Sequence, residues 1–130
     1  MALNDPLANV LSAVLNSERL GKSECVLATS SKLIKTVLDL LKRSNYIEDF
    51  KIIKDNKAGL LKITLQGSIN KCGAIKPRFS VKKDNFEKYE KRYLLAKDFG
   101  ILIVSTPKGI MTHYEAIEKR LGGRLIAYCY

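Results

Sequence analysis

The sequence predicts a mixed α/β (α+β) fold made of two small packed domains, and three observations carry that prediction. Apolar residues recur at helical spacing in two early segments, and the stretches that follow alternate apolar with polar residues as strands do. Periodicity then lapses over Gln66 to Ile75, where Gly67 and Gly73 sit among small polar residues; this is the expected divide between the halves. Beyond it, Ile101 to Val104 is an unbroken aliphatic run, the pattern of a strand covered on both faces, followed by a polar turn and a helix start.

Taken in order, Asn4-Asp5-Pro6 sets a capping side chain before a proline, which opens a helix because its missing N–H is not needed there. Leu7, Val10, Leu11, Val14 and Leu15 give that helix a core face, and Gly21 ends it. Glu24 to Ala28 reads as a short strand. Thr29-Ser30-Ser31 offers caps for a second helix whose buried side is Leu33, Ile34, Val37, Leu38 and Leu41. Tyr46 to Lys54 and the alternating Leu61, Ile63, Leu65 are two strands joined by the hairpin-like Asp55 to Gly59. The first domain, residues 1–66, is thus an α-β-α-β-β unit.

The second domain, residues 67–130, is expected to be mostly β with a short helix after its Ser-Thr loop. Arg78 to Lys82 alternates basic and apolar residues, a strand with one basic face, and Asp84 with Glu87 forms a capping pair for a helix from Asn85 to Tyr93. After Val104, Ser105-Thr106-Pro107-Lys108-Gly109 ends the strand, since proline cannot continue a central ladder. Thr112 stands three residues before Glu115, a capping box that starts a helix with apolar positions at Ala116, Ile117 and Leu121, and Gly122-Gly123 is its expected stop. Arg124 to Tyr130 closes the chain as a strand.

Charge narrows the choice of partner. Lys+Arg 23 against Asp+Glu 13 gives a net charge of +10, which attracts polyanions, and nucleic acid heads that class. From Lys71 to Lys97 the basic residues Lys71, Lys76, Arg78, Lys82, Lys83, Lys88, Lys91, Arg92 and Lys97 meet only Asp84, Glu87 and Glu90. Phe79, Phe86, Tyr89 and Tyr93 are interleaved; they either stack on splayed bases or anchor the segment to the core, and anchoring is the expectation for Phe79 and Phe86. No apolar run spans a bilayer and no signal-like start precedes the first helix, so a cytoplasmic protein with no membrane partner is expected. Cys25, Cys72 and Cys129 lie far apart, which suits thiols rather than a disulfide framework or metal site.

The loop Ser105 to Gly109 offers backbone amides, two hydroxyls and one lysine in a small volume, a combination suited to an oxygen-rich anionic partner. The same residues are also ordinary turn chemistry. Gly100-x-x-Ile103-Val104-Ser105-Thr106-x-x-Gly109-Ile110-Met111, followed by Ala116, resembles the signature of small-subunit ribosomal protein eight, of the archaeal or eukaryotic-like kind. Pro107 stands where bacterial members usually carry serine. Asn4-Asp5-Pro6, Ser30-Ser31-Lys32 and Asn45-Tyr46-Ile47 resemble the family's amino-terminal landmarks, so the likeness spans nearly the whole chain. It implies a structural component of the small subunit that binds an irregular helical arm in the central domain of its rRNA, beside neighbouring small-subunit ribosomal proteins, with no cofactor and no small-molecule substrate. The candidate RNA-binding residues are Ser105, Thr106, Pro107, Lys108, Gly109, Ile110, Gly122, Gly123 and Arg124, together with Asn4, Asp5, Pro6, Ser31 and Lys32 in the first half.

Two alternatives belong to other classes. One is an RNA-binding translational regulator outside the ribosome, which the resemblance implies because some members of that family repress their own message by binding an rRNA-like arm. An enzyme would have to be built on the single histidine, with His113 activating Cys72 or Ser105; but His113 lies near a helix N-terminus, where the dipole lowers its basicity, and no third, orienting residue is suggested. Binding is the stronger reading, and no metal is expected.

Overall fold

The computed structural model describes residues 6–27, 32–54, 59–75, 78–94 and 100–130. The chain divides into two units, Met1–Lys71 and Cys72–Tyr130, which together give a mixed α+β architecture.

In the first unit the order is α1 (Pro6–Arg19), β1 (Glu24–Leu27), α2 (Lys32–Arg43), β2 (Ile47–Lys54) and β3 (Gly59–Leu65). The three strands are antiparallel in the order β1-β3-β2, with Cys25 opposite Ile63 and Phe50 opposite Ile63 on its other side. Leu61, Ile63 and Leu65 are buried while the residues between them are not, the expected period of two. Leu7, Val10, Leu11 and Val14 of α1 and Ile34, Val37, Leu38 and Leu41 of α2 supply the helical side of this core.

Both helices end by the same device. Gly21, with φ 71°, donates to the Glu18 carbonyl while Lys22 reaches back to Ser17; Asn45, with φ 64°, donates to Lys42 while Tyr46 reaches back to Leu41. Each is a left-handed residue satisfying the carbonyls a helix end leaves over. The proposed caps at Asn4, Asp5 and Thr29 to Ser31, and the Asp55 to Ala58 hairpin loop, lie outside the described residues.

In the second unit β4 (Cys72–Ala74), β5 (Ser80–Val81), α3 (Phe86–Tyr93), β6 (Ile101–Thr106), β7 (Gly109–Thr112), α4 (His113–Glu118) and β8 (Gly123–Cys129) follow. The sheet runs β4-β8-β6-β7, with β5 also paired to β8. Ile101 to Val104 are all buried, as an aliphatic run without alternation demands. One face of the sheet contributes Leu102, Val104, Met111 and Leu125 to a core completed by Ile75, Val81, Phe86, Leu94 and Ala116. Phe79, Tyr89 and Tyr93 pack at its margin, so all four interleaved aromatics serve as anchors.

Four sequence expectations are corrected here. The stretch Gln66 to Ile75 carries a strand, β4, whose three residues are too few to show a period. Only Ser80 and Val81 of Arg78 to Lys82 form a ladder. Asn85, not Asp84, is the N-cap of α3, without a side-chain cap bond. Most tellingly, α4 does not run on to Gly122-Gly123. It closes on Arg120, φ 56°, with Arg120 donating to Ile117 and Leu121 to Ala116. Its inward line passes through His113 and Ala116, which turns Tyr114 and Ile117 out to solvent.

Candidate nucleic-acid interface

The stretch read as a loop is a tight hairpin. Ser105 and Thr106 are the last residues of β6, Gly109 and Ile110 the first of β7, and Pro107-Lys108 alone make the turn. Proline presets the backbone angle at the first turn position, and Gly109 takes φ 123°, a value that favours glycine. The two hydroxyls are divided by the strand period. Thr106 faces inward, donates to the Gly109 carbonyl at 2.7 Å and accepts from the Lys108 N–H at 3.2 Å, so it ties the turn together. Ser105 faces outward, and among the described residues its hydroxyl makes no hydrogen bond.

Strand pairing sets Ser105 in a row. It lies opposite Ile110 on β7 and opposite Arg124 on β8, and Arg124 in turn lies opposite Ser80 on β5. Residues opposed across a ladder project to one face, so Ser80, Arg124, Ser105 and Ile110 form a line across four strands, about 14 Å long at ordinary strand spacing. Ser80, Arg124 and Ser105 are exposed and Ile110 is half-buried. Pro107, Lys108 and Gly109, all exposed, stand at the turn beyond Ser105.

Gly122 and Gly123 let the strands meet. A Cβ on Gly122 would fall 2.6 Å from the Val81 carbonyl oxygen, and one on Gly123 would strike the carbonyl of Ser105. These glycines therefore bring β5, β8 and β6 together beneath the row, a role distinct from the helix stop their sequence suggested. Among the first-half candidates, Pro6 opens α1 and Lys32 opens α2, both exposed; Asn4, Asp5 and Ser31 lie outside the described residues. Sequence reasoning passed over Ser80. Its signal was the alternation with Arg78 and Lys82, both exposed, along a strand already read as having one basic face.

The charge of the two units is spent differently. In the first, Lys42 pairs with Asp49, Arg43 with Asp39 and Lys62 with Glu24. In the second, among the described residues, the ion pair of an Asp or Glu with a lysine or arginine is that of Lys91 with Glu87, at 3.8 Å. Lys82, Lys83, Lys108, Lys119, Arg120 and Arg124 are exposed there, and Arg92 lies over the Phe79 ring at 4.8 Å.

The histidine is occupied. His113 is fully buried; its Nδ1 accepts from the Leu102 N–H at 3.0 Å and its Nε2 lies 2.9 Å from Glu90 Oε1. Glu90 is the orienting residue the sequence did not suggest, but it holds the ring inside the core, where both nitrogens serve the fold. An open depression of about 410 Å³ between α3 and α4 is lined by Lys83, Asp84, Phe86, Glu87, Glu90, Tyr114 and Ile117, and none of the hairpin residues borders it. Among the described residues no group of three His, Cys, Asp or Glu side chains could hold a metal ion, and no helix is long and apolar enough to cross a membrane.

The row Ser80, Arg124, Ser105, Ile110 thus lies in the unit whose exposed cations Lys82, Lys83, Lys108, Lys119 and Arg120 have no ion pair among the described residues, an arrangement suited to a polyanion. The family model described as Ribosomal protein S8 matches residues 5–130, and the chain belongs to that family. It is accordingly a ribosomal protein of the small subunit, one that binds rRNA and neighbouring ribosomal proteins in translation.

Proposed function

We propose that the chain binds an irregular helical arm in the central domain of small-subunit rRNA and helps assemble that domain, with most of the affinity carried by the second unit. The row Ser80, Arg124, Ser105, Ile110 is the observation that supports this most. A-form RNA hides its major groove and offers a shallow minor groove of 2′-hydroxyls and base edges, most open where the helix is irregular. A line of two hydroxyls, a guanidinium and an aliphatic side chain suits such a surface. Ser105 donates and accepts there, Arg124 and Lys108 meet phosphate, Pro107 and Gly109 allow close approach of the turn, and Thr106 holds the turn's shape. Gly122 and Gly123 keep the strands in register beneath it. Pro6 and Lys32, with Asn4, Asp5 and Ser31, would supply a second patch of contacts from the first half.

Binding of a central-domain rRNA fragment and of an unrelated duplex of equal length, each over a range of salt, tests the reading. Affinity should fall steadily with salt for both, with the rRNA fragment preferred throughout. Ser105→Ala should cost about 1 kcal/mol, roughly fivefold, for the rRNA fragment alone, with melting temperature unchanged. Lys108→Ala should weaken both RNAs alike and reduce the salt slope. Equal affinity for the two RNAs would defeat the proposal.

A further inference from the structure

Two cysteines far apart in sequence meet across the second sheet. β4 and β8 are antiparallel with Cys72 opposite Cys129, Gly73 opposite Tyr128 and Ala74 opposite Ala127. The next pair in the same register is Ile75 with Ile126, and the Ile75 N–H donates to the Ile126 carbonyl at 3.0 Å, so these two form a hydrogen-bonded pair. Pair types alternate along an antiparallel ladder. Counting back, Gly73 and Tyr128 are hydrogen-bonded and Cys72 and Cys129 are a non-hydrogen-bonded pair. That is the type with the closer side chains, at a Cα separation of about 4.5 Å, which lies within the range of about 4.4 to 6.8 Å that a disulfide spans. Tyr128 lies over Gly73, its hydroxyl 3.1 Å from where a Cβ would be, and the two cysteines project to the opposite face of the sheet. Both are thiols in this structure.

We infer that Cys72 and Cys129 are a redox-responsive pair that closes to a disulfide on reaction with a peroxide, stapling strand β4 to β8. Cys72 is the entry point: it begins a three-residue strand at the end of the sheet order and is 4% exposed, against 0% for Cys129. Fraying of so short an edge strand exposes it before any inner strand opens. Its sulfur attacks one peroxide oxygen, the O–O bond breaks, and the thiol proton leaves with the departing oxygen as water, giving a sulfenic acid. Cys129 then attacks the Cys72 sulfur; the S–S bond forms, the S–O bond breaks, and the Cys129 proton leaves in a second water. Two thiols lose two electrons and one peroxide becomes two waters. Cys25 lies opposite Ile63 on β3, so no thiol faces it across that ladder and it serves as an internal control.

The test uses the full chain treated with hydrogen peroxide, then alkylated under denaturing conditions, digested and mapped by mass spectrometry. The expected product is a peptide joining Cys72 to Cys129 with loss of two hydrogens, reversed by a thiol reductant, while Cys25 remains open to alkylation. Exchange of the Gly73 amide should slow by about tenfold in the oxidised protein, because the staple suppresses fraying of β4. Cys25→Ser should keep the link, and Cys72→Ser should abolish it. The wild-type map decides the matter even where a variant folds poorly: links through Cys25, links between chains, or a Cys72 oxidised beyond sulfenic acid without a link would each overturn the inference.

Discussion

Glu90 Oε1 stands 2.9 Å from His113 Nε2, and the pair joins α3 to the start of α4 inside the core of the second unit. Because His113 Nδ1 accepts from Leu102, the ring carries its hydrogen on Nε2, the nitrogen that meets the Glu90 carboxyl. The sheet, α3 and α4 are therefore tied through one imidazole.

Glu90→Ala should cost about 2 to 3 kcal/mol of folding free energy, since it removes the buried carboxyl that meets the ring's N–H and leaves a cavity beside it. Urea denaturation measures this. The folded variant should bind rRNA as the wild type does, because neither residue is on the exposed row; a loss of affinity with unchanged stability would instead place the pair at the RNA.

Thr106→Val should separate shape from contact. The hydroxyl joins Gly109 and Lys108 across the turn, and replacing it with a methyl group leaves the Lys108 N–H without its acceptor. A loss of about 1 kcal/mol in stability is expected, read as a lower denaturation midpoint, with rRNA affinity following only as the turn loosens. Ser105→Ala should show the reverse pattern.

The first unit was legible because its elements are long enough to show their period: α1 and α2 present apolar residues every three to four positions, and Leu61, Ile63, Leu65 alternate. β4 and β5 were not, since strands of two and three residues contain no period and are created by the β8 they pair with. For the candidate site, Ser105, Lys108, Gly109 and Arg124 could be named from sequence, but the line they form with Ser80 depends on long-range register. No local pattern reports that register. Gly122-Gly123 misled for a related reason: glycine marks both left-handed caps and close backbone approach, and only the positions of Val81 and Ser105 tell which applies. Glu90 lay hidden as one carboxylate among charged neighbours, its burial set by the His113 it meets.

Two ionisable groups should make stability fall at opposite ends of the pH scale. Asp49 accepts from Lys42 and from the Phe50 N–H, which hold its carboxyl below the ordinary range; its contribution is present above the unfolded value of about 3.9 and is lost as pH falls through the folded one. Burial, then Tyr130, Cys72, Tyr93 and Cys129, raises the Tyr128 phenol. A proton held more tightly in the folded state gives stability that is complete below the unfolded value of about 10 and lost as pH rises through the folded one. Denaturation midpoints should thus drop above about pH 10, less steeply in Tyr128→Phe, and drop in acid less steeply in Asp49→Asn.

Glycine placement around α4 gives the sharpest contrast. Arg120 holds φ 56° at the end of α4, a position that glycine takes without strain and that costs a side-chain-bearing residue about 1 kcal/mol. Arg120→Gly should accordingly raise stability by up to about 1 kcal/mol, the gain being partly offset by the greater freedom of glycine in the unfolded chain. Gly123→Ala has the opposite expectation, because its Cβ would run into the Ser105 carbonyl, a backbone atom held by strand pairing on both sides. Either β8 moves away from β6 or the variant unfolds, a loss of about 2 kcal/mol or more. Since Ser105 and Arg124 belong to that same meeting of strands, any folded Gly123→Ala protein should also bind rRNA more weakly, whereas Arg120→Gly should lose only the affinity and salt slope of one exposed cation. Chemical denaturation and rRNA titration on both variants check the pair of expectations. A Gly123→Ala protein of wild-type stability would show that the strands can part without cost.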